Sequence, residues 1–264
     1  MAKHVLKNIH RLIGEAVKET PPEESFAADL TSAIEKLHAN QQRTPSQSYK
    51  PSSMSCVRNM YFQVVGAPQD ADRETAELIG ILQTGTSRHD TLQGIIASMR
   101  TLGMDCDYLD VADYIKEKQL NHLEIVSKRG YETKLYHKDL NISFMCDGII
   151  KYRGQYFILE IKTESIHKFV SRSGVDPSHY PQASTYALCL EINEVMFVYE
   201  CRDNTAKKVY RLFVTDLAKY EVLAKIELAD SHVTKMTPPP IPADLPKKVC
   251  SYCRYKSECR KAGK

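Results

Sequence analysis

The chain has 264 residues, 42% of them apolar and 26% charged, with a formal net charge of +3 and a pI near 8.3. That length permits a sizeable core with appendages. The mild positive charge permits a polyanionic partner without demanding one. No apolar run approaches the ~20 residues that cross a bilayer, and the N-terminus lacks the apolar segment and cleavage site of a secretory signal. The expectation is a cytoplasmic protein, in which eight cysteines read as metal ligands or buried thiols rather than as disulfides.

Residues 3–18 and 25–40 carry apolar side chains at helical spacing, with Val5, Ile9, Leu12, Ile13 and Val17 in the first and Pro21-Pro22 between the two. The polar run over 40–50 reads as a linker. Residues 1–50 are therefore expected to be a helical extension with no chemistry of its own. A helix opens over 51–62, with serines available to cap it and Cys56 near its start. Residues 72–101 hold one or two helices. Gly85 inside that periodicity calls for a packing reason, and His89 follows it by one turn. Residues 108–119 read as a short helix, and 122–128 and 131–137 as strands.

The segment from Phe144 to Thr163, FMCDGIIKYRGQYFILEIKT, reads as two strands around a turn at Arg153-Gly154. If Tyr152 faces Gln155, counting outward sets Asp147 opposite Glu160. Alternation along a strand then puts Asp147, Glu160 and Lys162 on one face, with Cys146, Ile150, Phe157, Leu159 and Ile161 on the other. Opposed carboxylates with Cβ atoms roughly 5 Å apart can hold a hard divalent cation, and Lys162 can approach a bound water or a phosphate. A surface charge pair on an ordinary hairpin would read the same way, and a slip of one residue would send Asp147 to the far face.

A loop over 171–178 leads into a helix over 180–190, with Pro181 in its first turn. Gln182 and Tyr186 share one face of it, as would two incidental polar residues on an amphipathic helix. Strands over 195–201 and 207–214 turn around Asp203-Asn204, and an amphipathic helix over 215–236 ends a core that spans 51–236. Residues 237–264 are a stiff proline-rich connector and a basic tail. The tail holds Cys250-x2-Cys253-x5-Cys259. Tetrahedral zinc and a cubane iron–sulfur cluster both want four sulfurs, so a fourth must come from elsewhere. Cys146, Cys189 and Cys201 have core-like neighbours and read as buried thiols. Cys106 is harder to set aside. Cys56 stands outside the core elements at a helix start, where the dipole favours thiolate.

In order along the chain, Gly85 and His89, Asp147-Gly148, Glu160-Ile161-Lys162, Gln182-x3-Tyr186 and the one-plus-three cysteines compose a known pattern. Over roughly 50–262 the chain resembles the RecB-like branch of the PD-(D/E)xK nuclease superfamily. It is most similar to the iron–sulfur members: CRISPR-associated RecB-like exonucleases, their phage relatives and AddB-type nuclease domains. Ser53, Cys56, Arg58 and Tyr61 match the context of the first cysteine. The resemblance implies a restriction-endonuclease-like α/β core, a central mixed sheet flanked by helices, preceded by N-terminal helices and followed by the cluster tail packed back on Cys56. It implies hydrolysis of DNA with Mg²⁺ or Mn²⁺ held by His89, Asp147, Glu160 and the Ile161 carbonyl. Lys162 would position water or steady negative charge, and Gln182 and Tyr186 would orient DNA or Lys162. Cys56, Cys250, Cys253 and Cys259 would hold a [4Fe–4S] cluster, or zinc in its place. Arg58, Tyr252, Arg254 and Tyr255 are expected to meet DNA. Partners in recombination or CRISPR adaptation would follow, and the rival expectation is a catalytically idle DNA-binding or scaffold module. The run after the ExK element, Thr163-Glu164-Ser165, and the 171–178 loop depart from the pattern.

Overall fold

The computed structural model describes residues 21–39, 46–70, 75–242, 245, 247–251 and 253–263. The helix expected over 3–18 and Tyr252 lie outside the described residues. The chain divides into two compact units. Residues 1–43 and 73–82 make the first, in which α1 (Pro22–Ala39) has no buried residue and Glu35 accepts a hydrogen bond from the Ala76 amide. The second holds everything below, apart from the first turns of α3.

The second unit is a mixed α/β fold around a five-stranded sheet in the order β1-β5-β6-β7-β8, flanked by helices as expected. Its strands are β1 (Cys106–Leu109), β5 (Gly148–Tyr152), β6 (Gln155–Glu164), β7 (Glu194–Cys201) and β8 (Lys207–Phe213). Only β6 and β7 run parallel. β6 is the central ladder, and Phe157 to Ile161 are buried on both faces, which is what a strand covered by helices on two sides requires. On one face Ile149 and Ile158 pack with residues of α4 (Val111–Glu117), α6 (Tyr180–Leu190) and α7 (Asp216–Thr234). On the other, Ile150, Phe157, Leu159, Ile161 and Val198 meet Leu92 of α3 (Ala76–Ala97). Helix ends are capped locally. Asp110 accepts from the Ala112 amide at 2.8 Å, and Thr215 from that of Ala218 at 3.2 Å.

A smaller antiparallel sheet, β2-β3-β4, is built from β2 (Leu123–Arg129), β3 (Glu132–His137) and β4 (Ile142–Cys146). The expected hairpin is correct in register and wrong in continuity. Tyr152 pairs with Gln155 and Gly148 with Leu159, so the next position outward is Asp147 against Glu160. Arg153 and Gly154 both have positive φ, 50° and 81°, the requirement of a tight turn matched to strand twist. The first strand, however, breaks at Asp147. Residues before it belong to the small sheet and residues after it to the large one. The break also moves Cys146, which joins the core on the α6 face rather than the face of Phe157 and Leu159.

Other elements differ in smaller ways. Residues 106–109 are a strand, so the helix expected from 108 starts later, behind the Asp110 cap. The helix expected from 51 is a 3-10 turn over Pro51–Ser53 followed by α2 (Val57–Val64), with Cys56 at the N-cap. The 171–178 loop is framed by α5 (Ile166–Ser171) and a 3-10 turn. It is pinned by Arg172, which pairs with Glu164 and stacks 4.0 Å over the Tyr199 ring. The tail adds α8 (Lys247–Ser251) and α9 (Lys256–Lys261). Among the described residues no helix is long and apolar enough to cross a membrane.

Candidate functional site

Asp147 sits at the junction of the two sheets, and three elements hold it. Its Oδ2 accepts the Ile161 amide of β6 at 2.6 Å, and its Oδ1 lies 3.2 Å from Nδ1 of His89 on α3. Its carbonyl accepts from Gln93 Nε2 at 2.7 Å and from the Tyr108 hydroxyl at 2.6 Å. Amide and carbonyl of one strand residue point to the same edge, so the Ile161 carbonyl also faces the Asp147 side. Gly148 makes the junction feasible. Its φ is +155°, and a Cβ there would lie 2.4 Å from the Tyr108 hydroxyl. Gly148→Ala is expected to cost about 3 kcal/mol through strain and overpacking, and to displace Tyr108 from the Asp147 carbonyl. Urea unfolding checks it, and an unchanged midpoint would refute the close approach. The contact behind Gly85 is milder, since a Cβ there would meet only the Thr163 hydroxyl, at 3.4 Å.

Glu160 and Lys162 extend from the α6 face of β6. Lys162 Nζ donates to Glu160 Oε1 at 2.5 Å and to Gln182 Oε1 at 3.2 Å. Gln182 Nε2 donates to Glu160 at 2.8 Å and to the Tyr186 hydroxyl at 2.8 Å, and that hydroxyl donates to the Met145 carbonyl at 2.8 Å. A single chain of hydrogen bonds thus runs from Lys162 to β4, two residues short of Asp147. Glu160 is 4% exposed. Burial pushes its carboxyl up to about 7, against the pull of Lys162 and with help from the Asp147 charge. Burial works to lower His89, but the hydrogen bond and charge of Asp147 outweigh it and raise the imidazole.

No family model and no curated protein matches the chain. Among solved structures, SSO0001 is 14% identical with a TM-score of 0.45, over 89% of this chain and 96% of that one. LHK-Exo in complex with dAMP is 13% identical with a TM-score of 0.46, over 73% and 90%. The alkaline exonuclease LHK-Exo from Laribacter hongkongensis is 15% identical with a TM-score of 0.43, over 78% and 96%.

The fold brings together every residue expected at the hairpin site: His89, Asp147, Glu160, Ile161, Lys162, Gln182 and Tyr186. His89–Asp147 and Glu160–Lys162 are separate contacts, and among the described residues no three His, Cys, Asp or Glu side chains already surround one point. The donors suit a hard cation all the same. Burial raises Glu132 of β3 as it does Glu160, and in both the Asp147 charge adds to the rise. A divalent cation relieves that kind of repulsion. Sequence reasoning missed Glu132, Gln93 and Tyr108. Glu132 continues the β3–β4 register, in which Thr133 pairs with Cys146, to the position across from Asp147. Gln93 was legible in principle, standing one helical turn beyond His89.

The four expected cysteines also come together. Cys56, Cys250, Cys253 and Cys259 line one cavity of about 250 Å³, with Phe62, Ile241 and Val249 among its apolar walls. The Cys56 sulfur accepts the amides of Arg58 and Asn59, and Cys253 accepts that of Tyr255 and the Asn59 side chain. Burial, the largest influence on each, raises both thiols. Cys106, Cys146, Cys189 and Cys201 are buried elsewhere in the core.

Two expected DNA contacts are corrected. Arg58 is 2% exposed and donates to the carbonyls of Pro239, Cys259 and Gly263 at 2.9, 3.0 and 2.5 Å. Tyr255 is 4% exposed, stacks on Phe62 at 6.0 Å and accepts from Gln69. Both fasten the tail to α2 and are closed to a passing strand. Arg254 joins them through its backbone, its carbonyl accepting the Asp70 amide at 2.7 Å.

Proposed function

We propose that this chain is a metal-dependent DNA nuclease, acting as an exonuclease on single-stranded DNA or on DNA ends. The observation that carries this reading is the seating of Asp147 between His89 and the Ile161 amide, with Glu160 and Lys162 beside it on β6. A scaffold would need none of these groups in contact. Mg²⁺ or Mn²⁺ would be held by Asp147, Glu160, His89 and the Ile161 carbonyl, and when bound would supply a nucleophilic water and charge neutralisation at the phosphate. A nitrogen ligand among oxygens makes Mn²⁺ the easier ion to accept.

The residues' own parts follow from their contacts. Ile161 and His89 fix the Asp147 carboxylate. Lys162, now shared between Glu160 and Gln182, can donate to the attacking water or to a non-bridging phosphate oxygen. Gln182 binds Glu160, Lys162 and Tyr186 at once, and so sets the direction of both charged side chains. The four cysteines would hold a [4Fe–4S] cluster. They line one cavity, which supports a shared metal centre at the tail, with zinc as the alternative to the cluster. Its role is to fasten the tail, since Cys56 starts α2 and the other three cysteines belong to the tail.

End-labelled single-stranded, duplex and circular DNA incubated with Mg²⁺ or Mn²⁺ tests the proposal. Linear single strands should shorten from an end, and closed circles should survive. Intact linear DNA under every metal would overturn the reading in favour of the idle scaffold.

A further inference from the structure

Beside the candidate site lies a cleft of about 390 Å³. Gln182 and Tyr186 line it, and so do Lys50, Ser52, Lys134 and Ser143. No carboxylate is among its described lining residues. Lys134 and Ser143 stand on the outer face of the small sheet. Lys134 is the register partner of Met145 and Ser143 of Tyr136, while the intervening pair, Leu135 and Phe144, is buried. Lys50 comes from the segment before α2. There the Ser53 hydroxyl donates to the Lys50 carbonyl at 2.7 Å and accepts the Lys50 amide at 3.3 Å, so the backbone that carries this lysine is fixed.

The cleft is tied to the site by hydrogen bonds. Tyr186 accepts from Gln182 and donates to the carbonyl of Met145, the residue across from Lys134. Met145 stands two residues before Asp147 in the chain. Two lysines and the hydroxyls of Ser46, Ser52 and Ser143 match a phosphodiester oxygen set rather than a base edge.

We infer that this cleft is a phosphate subsite, in which Lys50 and Lys134 grip the DNA strand beside the linkage that is cut. The inference rests on the nuclease reading and adds the path of the strand. Neither lysine touches the reacting atoms, so both act on binding.

The test is fluorescence anisotropy of the full chain with a labelled single-stranded oligonucleotide in EDTA, across a salt series, followed by steady-state kinetics in Mn²⁺. The Lys50→Ala/Lys134→Ala double variant should bind about tenfold more weakly or worse. Its slope of log affinity against log salt should fall by about 1.4, at about 0.7 per lost phosphate contact for single strands. KM should rise with kcat held within a factor of about two, and Lys134→Arg should keep the wild-type slope, since the charge survives. A double variant with an unchanged slope, beside a wild type that binds and cleaves, overturns the subsite alone. A wild type that binds no DNA overturns the subsite together with the function.

Discussion

Replacing Asp147 with asparagine is expected to lower metal-dependent cleavage by at least about a thousandfold, roughly 4 kcal/mol of transition-state stabilisation, while Tm moves by no more than a few degrees. The side chain is held by shape as well as by charge. An asparagine can still accept the Ile161 amide through its oxygen and offer its nitrogen to His89 Nδ1, the two contacts that Asp147 makes at 2.6 and 3.2 Å. What it loses is the negative charge that would hold a cation against Glu160. Cleavage of end-labelled DNA and a melting curve on one preparation separate the two effects. An Asp147→Asn protein keeping more than a tenth of wild-type activity would remove this carboxylate from the chemistry.

Replacing Cys56 with serine is expected to bleach the protein and loosen its tail. Wild-type protein purified without oxygen should be brown and carry about four irons per chain, and the variant should carry few or none. Cys56 and Cys259 line one cavity but lie on either side of the core in sequence. A bond network joining them closes a loop of roughly two hundred residues, worth about 5 kcal/mol of chain entropy in the unfolded state. For a protein of this size that is about 10 °C or more in Tm. Arg58 and Tyr255 hold the same junction without metal, so loss of the cluster should loosen the tail before the sheet. A Cys56→Ser protein with full iron and a normal melt would remove Cys56 as a ligand. A colourless wild type with one zinc would replace iron–sulfur by zinc and keep the clamp.

Much of this site is readable from the chain because a hairpin obeys parity. Once Arg153-Gly154 is the turn, the positions of Asp147, Glu160 and Lys162 follow, and the structure keeps that register. The break at Asp147 does not show in the same way. Apolar residues continue through Phe144, Cys146, Ile149 and Ile150, because both sheets bury their strands there, and Gly148 is the sole local sign of a bend. Tyr108 escaped notice because its short strand borders a helix and shares its composition. Glu132 looked like any outward carboxylate of an exposed strand, and only the pairing of β3 with β4 brings it near Asp147. Arg58 and Tyr255 misled for the opposite reason. Basic and aromatic residues near cysteines have the composition of a nucleic-acid surface, but burial depends on tertiary docking that composition does not encode.

The chain changes sheets at the residue that would bear the metal. When two plates bend against each other, points on the hinge line travel least and points on the rims travel most. Asp147 lies on that line, anchored to Ile161, whereas Lys134 and the rest of the small sheet lie off it. Flexing that widens or narrows the cleft for strands of different shape would therefore leave the carboxylate nearly where it was. On the proposed nuclease reading, that would separate adaptation from chemistry: the cleft could yield to a DNA strand while the carboxylate stayed in register.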